Sequence, residues 1–224
     1  KMKKTMDTLA SGDRVEITST DPGFPRDAAA WCNSTGNQLI SKEATGGKSV
    51  VVIEKGEPKS CNIVTSCEGK GKTFIMFSDD LDKALATFVL ANGAAATGQK
   101  VTIFFTFWGL NVIKKLHKPN VEKDIFGKMF GMMLPSSSRK LKLSKMSMGG
   151  IGGKMMRYIM NRKGIDSLES LRQQALENGV EFIACQMSMD VMGVKQEELL
   201  DEVTIGGVAT YMERADNANI NLFI

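Results

Sequence analysis

The sequence predicts an α/β protein: a small two-layer α/β sandwich followed by a three-layer α/β domain with a mainly parallel sheet. Three observations point there. Residues 14–19 alternate Val15 and Ile17 with Arg14, Glu16 and Thr18, the pattern of a half-buried strand, and two more strand-like runs flank Thr45, Gly46 and Gly47. Residues 55–72 carry Gly56, Pro58, Gly69 and Gly71 with little periodicity, as a linker does. Beyond it, apolar runs at 73–77 and 100–105 are separated by a long helical pattern at 81–97, the spacing of parallel strands joined by a right-handed crossover helix.

At 224 residues and 42% hydrophobic content the chain can bury two cores. No run of about 18 uncharged apolar residues occurs and no signal peptide precedes the chain, so a cytoplasmic location is expected. Cys32, Cys61, Cys67 and Cys185 are too few and too unevenly spaced for a disulfide scaffold, and their spacing suits no zinc site. Neither a metal nor a cofactor is expected. The net charge of +4 hides an asymmetry: residues 114–163 hold 13 Lys and Arg against Glu122 and Asp124, so the rest of the chain is acidic. An anionic partner is drawn to such a stretch, although no nucleic-acid motif accompanies it and nucleic acid is not an expected partner.

The first unit reads in order as follows. Met2, Met6 and Leu9 have helical spacing, but Lys1, Lys3 and Lys4 oppose the helix dipole and no cap precedes them, so an upstream strand or cap is expected. After the strand at 14–19 and a turn at 20–23, Pro25 suits the first turn of a helix running to about Asn33, with Gly36 closing it. Residues 38–43 and 49–54 form an antiparallel hairpin. The run DPGFPRDAAAWCNSTGNQLIS, residues 21–41, resembles the second half of a TusA/SirA-like sulfur-carrier domain. That resemblance spans residues 1–55 and implies an incomplete domain, lacking the first strand and the Cys-Pro-x-Pro motif that bears the family's persulfide. Cys32 falls on the second helix, where packing is its expected role.

Residues 56–72 form the linker, and Cys61 and Cys67 within it are read as incidental thiols, with a disulfide or an auxiliary sulfur relay as the alternative. Gly69-Lys70-Gly71-Lys72-Thr73 imitates a phosphate-binding loop, but Ser66 stands where the first glycine belongs and the strand follows instead of preceding it. Gly149, Gly150, Gly152 and Gly153 fail the dinucleotide spacing, because Met155 replaces the third glycine; a flexible turn or hinge is expected there.

The second unit, residues 73–224, has strands at 73–77, 100–105, 181–184, 203–205 and 219–223. Helices are expected at 81–97, about 110–115, 167–178 and 207–217. Chemistry in such sheets gathers beyond the carboxyl ends of the strands. There the chain places Ser78 and Asp79, then Thr106, Phe107, Trp108 and Gly109, then Cys185, then Gly206 and Gly207. Cys185 ends an apolar run and begins a helix, an address that stabilises a thiolate through unpaired N–H groups. A buried and inert cysteine is the alternative reading of the same pattern.

The blocks FSDDLDKALATFVLANGAAATGQKVTIFFTFWGL, residues 77–110, and ACQMSMDVMGV, residues 184–194, are similar to the DsrE/DsrF/DsrH-like sulfur-relay family. The resemblance covers about residues 72–224. It implies persulfide transfer on the cysteine that matches Cys185, hence a sulfurtransferase or persulfide carrier passing sulfane sulfur between low-molecular-weight or protein thiols. It also implies a symmetric homo-oligomer and, in some architectures, upstream flavin disulfide reductase and rhodanese domains. From their strand-end positions Ser78 is expected to donate a hydrogen bond to the persulfide and Trp108 to shield it, with Thr106, Gly109, Gly206 and Gly207 completing the expected pocket. The competing class is a non-catalytic oligomerisation or docking module of a larger thiol-disulfide or sulfur-metabolising enzyme. The basic insert at about 114–163 also holds eight of the 15 methionines. That composition suits a subunit contact, or an amphipathic face on an anionic membrane surface that would add a membrane-associated location. His117, the only histidine, has no expected role.

Overall fold

The computed structural model describes residues 5–6, 8–45, 47–56, 71–117, 119, 121–123 and 125–224. Its contacts group the chain into two units, Lys1–Gly69 with Ile205–Asn217, and Lys70–Thr204 with Ala218–Ile224. In the first, β1 (Arg14–Ser19), α1 (Phe24–Thr35), β2 (Gln38–Thr45) and β3 (Lys48–Glu54) follow one another. The strands form an antiparallel sheet in the order β1-β3-β2. Pro25 lies in the first turn of α1, and Gly36 closes it in the left-handed conformation at φ 79° that glycine adopts without strain. Val51 and Ile53 point from β3 into a core with Met6, Ala28 and Cys32, onto which Val15, Ile17 and Trp31 pack. The helix expected over Met2, Met6 and Leu9 lies mostly outside the described residues, though Thr5 and Met6 are helical.

The larger unit begins with β4 (Gly71–Met76), α2 (Leu81–Ala96) and β5 (Val101–Phe105). A 3-10 segment, Phe107–Ile113, and the helices α3 (Ile125–Met133), α4 (Ile151–Arg162) and α5 (Leu168–Glu177) lead to β6 (Glu181–Cys185). Then come α6 (Gln186–Met192), β7 (Thr204–Gly206), α7 (Val208–Asp216), which groups with the first unit, and β8 (Ala218–Phe223). The five-stranded sheet has the order β7-β6-β5-β4-β8, with β4, β5, β6 and β8 parallel. Every residue of β5 is buried, as expected for a central strand covered on both faces. Phe88 from α2, Phe105 from β5 and Phe182 from β6 pack with ring centroids 5.4–6.4 Å apart and form the aromatic heart of this core.

Several expectations need correction. The strand expected at 73–77 starts at Gly71, because Lys72 already pairs with Val101 and Ile220. The helix expected near 110–115 is the 3-10 segment, which starts three residues earlier. Gly109 N–H donates both to Phe77 O (2.8 Å) and to Thr106 O (3.0 Å), and this close approach to the end of β4 tightens the chain. The core stripe of α2 is Leu81, Ala84, Thr87, Phe88 and Ala91, and Val89, next to Phe88, is exposed. The glycine stretch is not the expected open turn throughout. Gly149 and Gly150 turn with positive φ, but Gly152 and Gly153 lie inside α4, where a Cβ on Gly152 would come within 2.0 Å of Met146 O. Those two glycines serve close packing. The linker cysteines Cys61 and Cys67, and most of the linker, lie outside the described residues.

The insert is tied to its unit by specific bonds. Leu81 N–H donates to Lys142 O (2.7 Å), and Asp82 accepts from the N–H and hydroxyl of Ser144. Lys123 and Glu198 form a buried ion pair at 2.6 Å. Part of the basic charge is therefore structural.

Candidate functional site

The site is built where β6 hands over to α6. Phe182, Ile183 and Ala184 are buried and carry the chain through the sheet, and Cys185 both ends the strand and stands at the N-cap of α6. Its thiol is 2% exposed and makes no side-chain cap bond. Phe105 pairs with Ala184, so Thr106 comes level with Cys185 one residue beyond. Thr106 Oγ1 and Ser188 Oγ are hydrogen-bonded at 2.8 Å in a buried position, fastening the first turn of α6 to the end of β5. Gln186 donates to Asp190 (2.8 Å), while its Oε1 is buried without a hydrogen-bond partner among the described residues.

The 3-10 segment packs against α6 and forms one wall. Trp108 stands 42% exposed on it, and Met187 and Val191 are exposed on α6, giving an apolar surface on these two packed elements. Gly109 is required where it lies, since a Cβ there would meet Met76 O at 1.9 Å. Phe107, directly before Trp108, has φ 46°, a left-handed conformation that costs a bulky residue free energy. Its ring packs on Phe77 at 5.4 Å between centroids.

The remaining expected residues lie farther off. Ser78 lies two residues beyond the end of β4, itself two strands from β6, which the usual strand spacing puts at about 10 Å. Its hydroxyl donates to Asp80 Oδ2 (2.7 Å) and accepts from Asp80 N–H (3.2 Å), so it organises the start of α2. Gly206 and Gly207 fall in the segment that groups with the first unit. There the Gly207 N–H donates to Asp27 Oδ1 (2.9 Å), and a Cβ on Gly207 would strike that carboxylate. The structure thus brings Thr106, Trp108 and Gly109 onto the strand and segment beside Cys185, and leaves Ser78, Gly206 and Gly207 in other roles.

Three participants were not anticipated. Ser188 lies one turn after Cys185, and its place in the first turn of a helix was a usable signal. Gln186 gave none. Asn111 is fully buried in the 3-10 segment and donates to Asp79 Oδ2 (2.9 Å), with its own Oδ1 unpartnered among the described residues. Burial pushes the Asp79 carboxyl above its ordinary range against that hydrogen bond, and Asp80 adds to the shift. Among the described residues no group of three or more His, Cys, Asp or Glu could hold a metal ion.

Comparison with known proteins bears on both units. Residues 69–223 match the model of the DsrE/DsrF/DrsH-like family, and residues 1–55 match that of sulfurtransferase TusA. The protein YrkE of Bacillus subtilis is 44% identical over 155 residues, 69% of this chain and 97% of its own length. Sulfur carrier protein DsrE2 of Allochromatium vinosum is 38% identical over 161 residues, covering 70% of this chain and 99% of that protein. Sulfur carrier protein TusA of the same organism is 38% identical over 53 residues, 24% of this chain and 70% of its own.

Proposed function

We propose, since the chain belongs to the DsrE/DsrF/DrsH-like family and carries a TusA match ahead of it, that its sulfur-relay role is performed by persulfide transfer on Cys185. The observation that carries this reading is the position of Cys185: the last residue of β6, at the carboxyl edge of the sheet, with Thr106 level with it and Ser188 one turn on. The thiolate attacks the outer sulfur of a donor persulfide, R–S–SH. A new S–S bond forms to Cys185, the donor's S–S bond breaks, and RS⁻ leaves with the electron pair. The reverse step delivers the sulfur to an acceptor thiolate. No net oxidant is needed. Because the thiol is buried, loading requires the first turn of α6 to move aside, and the exposed Trp108 and Met187 offer the donor an apolar landing surface.

Intact mass spectrometry after brief exposure to polysulfide tests this. Wild type gains one sulfur that dithiothreitol removes, and Cys185→Ser gains none. Equal uptake by the variant would move the chemistry to another cysteine, and uptake by neither would favour the docking-module reading.

The insert supports a second, compatible reading. Met132 is 85% exposed, and Met133, Met146, Met148, Ile151, Met155 and Tyr158 are exposed with it, in a stretch whose basic residues outnumber its acidic ones. Like charge opposes self-association through this face, so an anionic membrane surface is the partner it fits. No helix among the described residues is long and apolar enough to cross a membrane. A homo-oligomer would instead use the uncharged edge strand β8, where Ile220, Leu222 and Phe223 are exposed. Co-sedimentation with anionic vesicles that vanishes at high salt is expected for the insert, and binding unaffected by salt would contradict it.

A further inference from the structure

Cys185 stands at one end of α6, and α3 of the insert presses on the other. Gly193 closes α6 in the left-handed conformation at φ 60°, and a Cβ there would come within 2.4 Å of Gly127 Cα. The backbone of α3 therefore lies directly on the end of α6, with Gly127 buried. Helix α6 has seven residues, under two turns, so it moves as one piece. The turn that covers Cys185 is thus restrained twice, by the bond between Thr106 and Ser188 at its own end and by α3 at the far end.

Helix α3 is anchored outside its own span. Two residues before it Lys123 is paired with Glu198, and two residues after it the carbonyl of Pro135 accepts from Lys114 Nζ (3.2 Å). It is a strap between two fixed points, and it can lift without unfastening the insert. Gly127 and Gly131 share one side of it, and a Cβ on Gly131 would lie 3.7 Å from Lys123 Nζ, so that side faces the buried pair. Met129, Met132 and Met133 fall on the opposite side and are exposed. Lys128 is the only charged residue of α3, and residues 125–165 hold nine basic residues and no acidic one.

Docked on α6, the strap offers a surface only its methionine side. Lifted, it offers nearly its whole circumference, because a single lysine is all the charge it carries. An apolar phase with an anionic face favours the state that exposes more of this helix to it, and that difference in affinity is what shifts a conformational balance. We propose that α3 is a latch on Cys185 that an anionic membrane surface releases: lipid takes α3 from the end of α6, α6 swings as a unit, and the thiol opens to its sulfur donor only at the membrane. This rests on the membrane reading of the insert and adds to it the regulation of the thiol.

The probe is a phosphatidylglycerol vesicle, with phosphatidylcholine as the neutral comparison. The readout is the rate at which iodoacetamide alkylates each cysteine of the whole chain, resolved by peptide mass spectrometry. On the anionic vesicles Cys185 should label about tenfold faster while Cys32 stays slow, and neutral vesicles should change neither. Met132→Gln combined with Met133→Gln should lose both vesicle binding and the faster labelling. Gly193→Ala, whose methyl pushes against Gly127, should label fast with no vesicle present. Gly164→Ala carries the same left-handed strain at φ 66° with open space around it, and should label as wild type does. Vesicle binding that leaves Cys185 labelling unchanged overturns the latch alone, as does Gly193→Ala labelling at the wild-type rate. Absence of vesicle binding overturns the membrane reading and the latch's release with it. Alkylation needs no sulfur chemistry, so failure of the persulfide reading leaves these outcomes readable.

Discussion

Cys32 and Cys185 are both buried, one in each unit, and their surroundings differ in kind. Cys32 sits within α1, in a core with Ala28, Val51 and Ile53, and burial alone pushes its thiol up to about 11. It stays protonated and unreactive at neutral pH. Cys185 sits at a strand-to-helix junction on the sheet edge, with Thr106 level with it, Ser188 one turn on, and exposed Trp108 and Met187 on the elements beside it. Exposure does not separate the two thiols. Position in the fold does, because a junction can open by moving one turn of helix, whereas a mid-helix core position opens only with its unit.

The sharpest way to break this comparison is to exchange the roles. Cys185→Ser is expected to abolish sulfur uptake, whereas Cys32→Ser keeps uptake and loses about 1 kcal/mol of stability by burying a hydroxyl in the apolar core. Uptake that fell with Cys32 instead would reverse the assignment. Next in size is Gly109→Ala. The added methyl must displace the carbonyl of Met76, and urea unfolding should show a loss of about 3 kcal/mol. A neutral result would mean that the wall beside Cys185 yields easily.

Thr106→Val removes one side of the buried hydroxyl pair and strands the Ser188 hydroxyl, at a cost of about 2 kcal/mol. Slower single-turnover sulfur transfer should accompany it, and transfer at the wild-type rate would make the pair purely structural. The smallest effect concerns Asp79. Its folded carboxyl lies above the unfolded value, so the native state holds the proton more tightly. Its contribution to stability falls as pH rises from the ordinary carboxylate value through the raised one, then stays level. Asp79→Asn removes that decline. The wild type's stability relative to the variant should decline as pH rises above the ordinary carboxylate value. A difference constant across that rise would place Asp79 in an ordinary solvated setting.

Much of the fold was legible because it rests on local pattern. Alternation marked β1, the unbroken apolar run of β5 announced burial on both faces, and Pro25 with Gly36 bracketed α1. What escaped depends on residues far apart in sequence. Thr106 meets Ser188 across 82 positions and Asn111 meets Asp79 across 32, and neither pair leaves a periodic trace. The glycines of α4 misled for a related reason: their need is a neighbouring backbone, Met146 O for Gly152 and Leu141 O for Gly153, which no local rule contains. Cys185 could be singled out because a strand end followed by a helical turn is a local feature. The commitment of Ser78 to Asp80 was also within local reach, two residues away.

Locating the sulfur atom tests the central claim most directly. The native protein is loaded with polysulfide, alkylated, digested and fragmented in a mass spectrometer, before and after an acceptor thiol is added. The account predicts one extra sulfur on the peptide containing Cys185, lost when the acceptor arrives. Extra sulfur on the peptides of Cys32, Cys61 or Cys67, with Cys185 alkylated and unmodified, would contradict it.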